Sequence, residues 1–280
     1  KTKIETAANA GVDVFMEPSK TAEVFKLLRQ NVEDKKVPLS RIDEAVSNIL
    51  RVKFEMGLFE HNGPVEAAKS LVGSPEHRAV AREIVQKSQV LLKNEGALPL
   101  KRGQRILVVG EHADDLGLQS GGWTLEWKGF SYNNNRMPGA TTILEGLRKV
   151  AGSGTKIESK PDGDFAKTVV SAKKPADVAL VFVGEQPYAE WLGDCDASQL
   201  TLSEEDQALI AKMRPLARKL VLVLVSGRPL ILGSALEKSD AVVAAWLPGS
   251  EGAGVADVLF GDAPFVGKLP FAWPRDAASF

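Results

Sequence analysis

Six consecutive apolar residues, Val178-Ala179-Leu180-Val181-Phe182-Val183, constrain this chain more than any other stretch. A strand with one wet face would alternate apolar and polar side chains. An unbroken, β-branched run of this length instead fits a strand covered on both faces, as in a parallel sheet. The run stops at Gly184 and opens into a loop carrying Glu185, Tyr188, Glu190, Trp191, Asp194 and Asp196. Open parallel sheets meet their ligands at the carboxyl ends of strands, so chemistry is expected in that loop.

Similar runs predict strands at Ile106–Val109, Leu220–Val225 and Ala241–Leu247. Amphipathic spacing predicts helices at Thr142–Val150, about Phe165–Ala172, Ser203–Leu216 and Ser250–Phe260. Ser203 with Asp206 forms a capping-box-like pair, and Gly261 is placed to end the last helix. Continuous apolar strands alternating with helices imply a three-layer α/β sandwich with a mostly parallel sheet, assigned to residues 99–280.

Residues 61–98 read as a helical connector. Asn62-Gly63-Pro64 is a turn, and Ser74-Pro75 opens a helix with proline where its missing N–H costs nothing. Val80, Ile84, Ser88 and Leu91 mark the inner face expected of it, and Asn94-Glu95-Gly96 its end. Residues 1–60 offer an apolar strand Val12–Met16 after Gly11, then a helix over Thr21–Val32. A second helix follows, with Ser40 as N-cap facing Asp43, with Ile42, Val46, Ile49, Leu50 and Phe54 in register, and with Gly57 as C-cap. Strand, helix, helix fits the last strand and helices of a (β/α)8 barrel. The opening residues resemble neither an initiator sequence nor a secretory signal, so the earlier barrel strands are expected to lie elsewhere.

Composition excludes several functions. With 44% hydrophobic and 25% charged residues the chain is an ordinary globular sequence, and a net charge of −1 implies neither nucleic acid nor an anionic membrane as partner. No apolar run approaches the roughly 18 residues of a spanning helix. Cys195 is the single cysteine and the three histidines are scattered, so no disulfide and no metal site are expected. No cofactor is implied either. Val109-Gly110-Glu111-His112 lacks the three-glycine dinucleotide fingerprint. Gly249-Ser250-Glu251-Gly252-Ala253-Gly254 lacks phosphate-loop spacing, and Pro248 stands where a serine-hydrolase elbow needs glycine.

The loop after Ile106–Val109 carries Gly121-Gly122-Trp123-Thr124-Leu125-Glu126-Trp127. Indole rings stack on the apolar C–H face of a sugar while their N–H groups and nearby acids take its hydroxyls. Trp123 equally fits a plug in a domain interface. Glu190 has Tyr188 and Trp191 beside it, and an apolar setting would raise its pKa enough to hold a proton near neutrality. Glu185 competes for that role, and both also fit solvated loop acids.

Several blocks together resemble glycoside hydrolase family 3, in its β-glucosidase and exo-β-glucanase branch. They are Ala10–Met16, Pro38–Val46, Ile49–Phe59, Val90–Gly96, Gly121–Trp127, Val183–Glu190, Ser226–Pro229, Ala245–Gly252, Phe260–Asp262 and Gly267–Pro270. The resemblance implies a retaining double displacement, in which an Asp on a barrel strand attacks the anomeric carbon and a Glu protonates the leaving oxygen. On this pattern the acid/base falls on Glu190, and Trp123, Leu125 and Trp127 line the substrate site. The implied partners are a β-glucan or cello-oligosaccharide and the N-terminal barrel portion of the same protein. The nucleophile and the residues gripping the terminal glucose would precede Lys1, leaving these 280 residues inactive alone. Proteins of this type are often exported. The other reading is a non-catalytic carbohydrate- or nucleotide-binding α/β module.

Overall fold

The computed structural model describes residues 3–61, 63, 69–165 and 170–279. The chain forms two compact units, Lys1–Lys69 and Ser70–Phe280.

The first unit holds α1 (Lys3–Asn9), α2 (Thr21–Glu33) and α3 (Leu39–Glu55). Arg41 ties it together, donating from Nε to the Ala8 carbonyl at 2.9 Å and pairing with Asp13, which also accepts from Asn48 at 3.0 Å. Two sequence expectations fail here. Val12–Met16 forms no ladder, and Met16 is 96% exposed. A strand is made by hydrogen bonds to a neighbour, and the described residues of this unit contain no other strand to supply them. The N-cap of α3 is Pro38, not Ser40, because the helix has already begun at Leu39. Val46, Leu50 and Phe54 keep their helical spacing but are exposed.

The second unit is built on a six-stranded sheet in the order β1-β6-β5-β4-β2-β3. Its strands are β1 (Val90–Asn94), β2 (Arg105–Val109), β3 (Lys156–Ser159), β4 (Ala176–Gly184), β5 (Ala217–Val225) and β6 (Ala241–Ala244). All neighbours run parallel except β1, which pairs antiparallel with β6 through a bulge between Leu91 and Lys93. The central strand β4 is hydrogen-bonded along both edges, Val181 standing opposite Val109 of β2 and Leu222 of β5. Alternation sends its side chains to two cores. Leu180 and Phe182 join Ile106, Val108, Val221 and Val223 under α6 (Ile143–Ala151) and α9 (Gly252–Phe260). Ala179, Val181 and Val183 join Leu107, Val109, Leu220 and Leu222 under α7 (Glu204–Met213) and α8 (Ser234–Lys238).

Helix α9 is buried along its whole length, so its polar groups need partners inside the protein. They come from α4 (Pro75–Ser88), which Ser74 caps by accepting from the His77 N–H at 3.3 Å. Arg82 makes a two-pronged pair with Asp257 at 2.7 and 2.6 Å, and Arg78 holds Glu251, just before α9, at 2.7 Å. The inner face of α4 therefore runs through Arg78, Arg82 and Val85, while the expected Val80 and Ile84 are exposed and Leu91 belongs to β1. Two buried carboxylates select which face of α4 turns inward. Of its larger hydrophobic residues, Val85 alone joins the core.

Other boundaries shift for local reasons. β1 and the charged edge strand β3 are too short and too mixed to stand out in the sequence. Asn94-Glu95-Gly96 closes β1 and not a helix. β6 stops at Ala244 because the chain turns at Trp246, φ 53°, whose indole N–H donates to the Ser88 carbonyl at 3.1 Å. The helix expected near Phe165–Ala172 falls partly on 166–169, outside the described residues, as do Asn62 and Pro64. The Thr142 cap is a full capping box with Glu145.

Helices α6 and α9 cross at Gly146, where an added Cβ would lie 2.6 Å from the Ala253 Cα. Gly146→Ala should therefore lower unfolding stability by about 1–3 kcal/mol despite the better helix propensity of alanine. The denaturation midpoint checks this.

Candidate active site

The strand order reverses at the β2/β4 pair, and loops leaving such a switch point part to leave a crevice. Both loops singled out in the sequence leave from it. After β2 the chain passes α5 (Leu116–Ser120), whose first turn is capped by Asp115 accepting from Gly117 and Leu118 at 2.8 and 2.9 Å. The aromatic loop follows at once, and it is pressed against the acid loop backbone to backbone. A Cβ on Gly122 would sit 1.9 Å from the Tyr188 carbonyl oxygen, so only glycine fits there.

The aromatic loop displays its side chains outward, with Trp123 68% and Leu125 56% exposed. Both residues adopt left-handed backbone, φ 60° and 61°, a conformation that costs about 1–3 kcal/mol unless its surroundings impose it. A hydrogen bond from the Trp123 N–H to the Trp127 carbonyl, 3.0 Å, closes the loop, and Glu126 is held by Arg136. The Trp127 ring lies 5.3 Å from that of Trp191, tilted by 54°, so an indole pair spans the two loops.

The two candidate carboxylates have different surroundings. Glu185 is half-buried and fully engaged. Its Oε1 accepts from Arg228 Nε and Nη2 at 2.9 and 2.7 Å, and its Oε2 from the Ser226 hydroxyl at 2.6 Å. The Arg228 guanidinium also covers the Tyr188 ring at 4.5 Å. Burial, and then the charge of Glu185, push the Tyr188 hydroxyl above its usual pKa. Glu190 opens a short 3-10 turn ending at Gly193, with φ 51° and an exposed side chain, and its carboxylate has no hydrogen-bond or ion-pair partner among the described residues. The expected shielding of Glu190 by Tyr188 and Trp191 is absent. Tyr188 is engaged by Glu185 and Arg228, and Trp191 is 63% exposed.

Ser226 and Arg228 stand in the sequence only as part of a family-like block. Their place directly beyond β5, the neighbour of β4, is the available signal.

A pocket of about 270 Å³ lies between the loops, lined by Gly122, Glu185, Tyr188, Ser226 and Leu247. Across Glu185 and Gln186 opens a larger crevice of about 900 Å³, lined by Glu111, His112, Asp162, Glu205, Asp206 and Lys212 among others. His112 is buried, its Nε2 3.2 Å from the Glu185 carbonyl oxygen, and burial depresses its pKa. Among the described residues no cluster of His, Cys, Asp and Glu could hold a metal, and no helix is long and apolar enough to cross a membrane.

This is a doubly wound α/β domain with carboxylates and indoles gathered at the carboxyl edge of its sheet. The chain belongs to glycosyl hydrolase family 3: the model of that family's C-terminal domain matches residues 89–280. It is 33% identical over 308 residues to the periplasmic β-glucosidase of Salmonella typhimurium, covering 97% of this chain and 39% of that one. To the lysosomal β-glucosidase of Dictyostelium discoideum it is 32% identical, covering 96% and 34%. The crystal structure of the exo-1,3/1,4-β-glucanase from a Pseudoalteromonas species superposes with a TM-score of 0.85 at 40% identity, over 96% of this chain and 35% of that one. A glucose complex of a β-glucosidase from Listeria innocua gives 0.79 at 27% identity, over 98% and 37%. The chain thus spans between a third and two-fifths of these relatives.

Asp206, in the first turn of α7, is pushed up to about 6, chiefly by burial and secondarily by the charge of Glu205, against hydrogen bonds from Ser203 that pull it down. A carboxyl whose folded pKa exceeds its unfolded value holds its proton better when folded. Its stabilising contribution is complete below about pH 4 and is lost as pH rises toward 6. The loss amounts to at most about 3 kcal/mol. Asp206→Asn should flatten this part of the stability profile and raise the melting temperature at pH 8, with little effect at pH 4. Thermal melts across that range test it.

Proposed function

We propose that these 280 residues are the C-terminal part of a retaining, exo-acting β-glucosidase or exo-1,3/1,4-β-glucanase that releases glucose from the non-reducing ends of β-glucans and cello-oligosaccharides. In this reading the first unit contributes the end of a (β/α)8 barrel over residues 1–60, residues 61–98 connect, and residues 99–280 form the sandwich. The exposed apolar side chains of Val46, Leu50 and Phe54 suit packing against the rest of such a barrel.

The nucleophilic Asp and the residues holding the terminal glucose are supplied by the barrel portion. Glu190 supplies the proton. In the first step its carboxylic acid protonates the departing glycosidic oxygen as the Asp attacks the anomeric carbon. In the second its carboxylate takes a proton from the water that hydrolyses the glucosyl-enzyme. Trp123, Leu125 and Trp127 form the apolar platform on the leaving-group side, where sugar C–H faces stack on indole. Glu190 is favoured over Glu185 by one observation: Glu185 is neutralised in place by Arg228, while the Glu190 carboxylate has no partner among the described residues, and Trp191 of the Trp127–Trp191 pair follows it directly in the chain. A general acid must keep its proton near neutrality. The desolvation this requires is assigned to bound substrate and barrel wall, since the chain itself leaves Glu190 in water.

The crevice at the switch point favours a second reading, a nucleotide-binding module, because doubly wound sheets bind nucleotides there. Glu111, Asp162 and Glu205 on its walls oppose it, since they would repel phosphates.

Two outcomes test the proposal. In the full-length protein, Glu190→Gln should lower kcat/KM, which reports the glucosylation step, about 10²–10⁴-fold on cellobiose, whose leaving group needs a proton, and far less on 2,4-dinitrophenyl β-glucoside. Equal losses on both substrates would remove Glu190 from the role. The 280 residues alone should turn over no aryl β-glucoside, because the nucleophile lies on the barrel portion.

A further inference from the structure

Glu190 occupies an awkward position. Its backbone is left-handed, its side chain reaches into solvent, and the turn that carries it is only four residues long. A proton donor has to be held to a fraction of an ångström, so something other than the turn must fix this loop.

One guanidinium does so at three points. Nε and Nη2 of Arg228 grip the Glu185 carboxylate, where the loop leaves β4, at 2.9 and 2.7 Å. Nη1 of the same group donates to the Gly193 carbonyl, where the 3-10 turn of Glu190 ends, at 2.6 Å. Between those ends its plane covers the Tyr188 ring at 4.5 Å. The first, fourth and ninth residues of the Glu185–Gly193 segment are thus bound to a single rigid fork. The fork itself is anchored, because Arg228 sits just past β5 and the Arg228 N–H donates to the Ser226 Oγ at 3.2 Å, the same hydroxyl that lies 2.6 Å from Glu185. Side-chain exposure of 28% for Arg228 and 18% for Glu185 places the pair away from bulk solvent, where a two-pronged contact is stronger than on the surface. A lysine could not reproduce the arrangement, since its ammonium is a point charge without the planar fork.

We propose that Arg228 is the positioning residue for the proton donor of this enzyme. It touches neither sugar nor reacting atoms, and it acts by holding the loop so that Glu190 points its carboxyl at the leaving oxygen. This rests on the assignment of Glu190 as acid/base.

The test uses the full-length enzyme and compares Arg228→Met, Glu190→Gln and the double variant on cellobiose and on 2,4-dinitrophenyl β-glucoside. Arg228→Met should lower kcat on cellobiose by about 10²-fold, the scale of a misplacement near 1 Å, with KM little changed. On the dinitrophenyl substrate, whose glucosylation needs no proton, single-turnover release of dinitrophenol should fall less than threefold. In the double variant Arg228→Met should add almost nothing to the cellobiose loss caused by Glu190→Gln, because residues acting through one group are not additive. Arg228→Lys should recover only part of the loss.

If Arg228→Met slows both substrates equally, or multiplies the Glu190→Gln defect, the positioning role is overturned while Glu190 stands. If Glu190→Gln shows no leaving-group dependence, the acid assignment falls and this inference falls with it. Should Arg228→Met fail to fold, Arg228→Lys and Glu185→Gln carry the same comparison, each removing part of the fork.

Discussion

The burial of β4 is the constraint on which the rest of this structure depends. A strand paired along both edges and packed on both faces leaves no backbone group and almost no side chain in water until its last residue. Only there can the chain become polar. The change happens at Gly184, opposite Val225 of β5, and three loops emerge side by side from β2, β4 and β5. The aromatic loop, the acid loop and the Ser226–Arg228 turn are neighbours because their strands are, and the parallel register sets the distances between them. The site takes its rigidity from a hydrophobic core that contributes no chemistry.

Two charged systems hold the periphery to this core, and they work alike. Arg82 and Arg78 bring α4 onto the buried α9 through Asp257 and Glu251, and Arg228 brings the acid loop onto the end of β5 through Glu185. In each case a planar guanidinium engages a carboxylate removed from solvent, and each contact fixes a direction as well as a distance. Such pairs need not add much net stability, but removing one partner leaves the other charge buried and unpaired. That penalty keeps α4 and the loop in one arrangement.

What the sequence reveals follows the strength of the local signal. β4 and β5 are legible because an unbroken apolar run has few other readings. The inner face of α4 is not, because periodicity counts hydrophobic residues, while the burial of that face is dictated by acids more than 160 residues away. Val12–Met16 has the composition of a strand without a partner among the described residues, and composition carries no information about partners. At the candidate site, the end of β4 and its loop can be read from the sequence, but Glu185 and Glu190 look equivalent five residues apart. Their difference is made by Arg228, which the chain supplies only after two further elements, α7 and β5.

The pairing of β1 with β6 has a consequence in time. Val90 stands opposite Ala244, so the first strand of the sheet to leave the ribosome is the last to find its neighbour. Until β6 is made, β1 is an apolar segment with both edges open, and α4 beside it lacks the acids that its arginines require. Contacts of such long sequence separation close slowly, because the chain entropy lost in closure comes before any gain from packing. β2, β3 and β4 are all made before β6, so the antiparallel edge is the part of the sheet that synthesis completes last. Interrupted synthesis or truncation before Ala241 would release a domain whose core is half assembled and whose first strand is free to pair with another molecule.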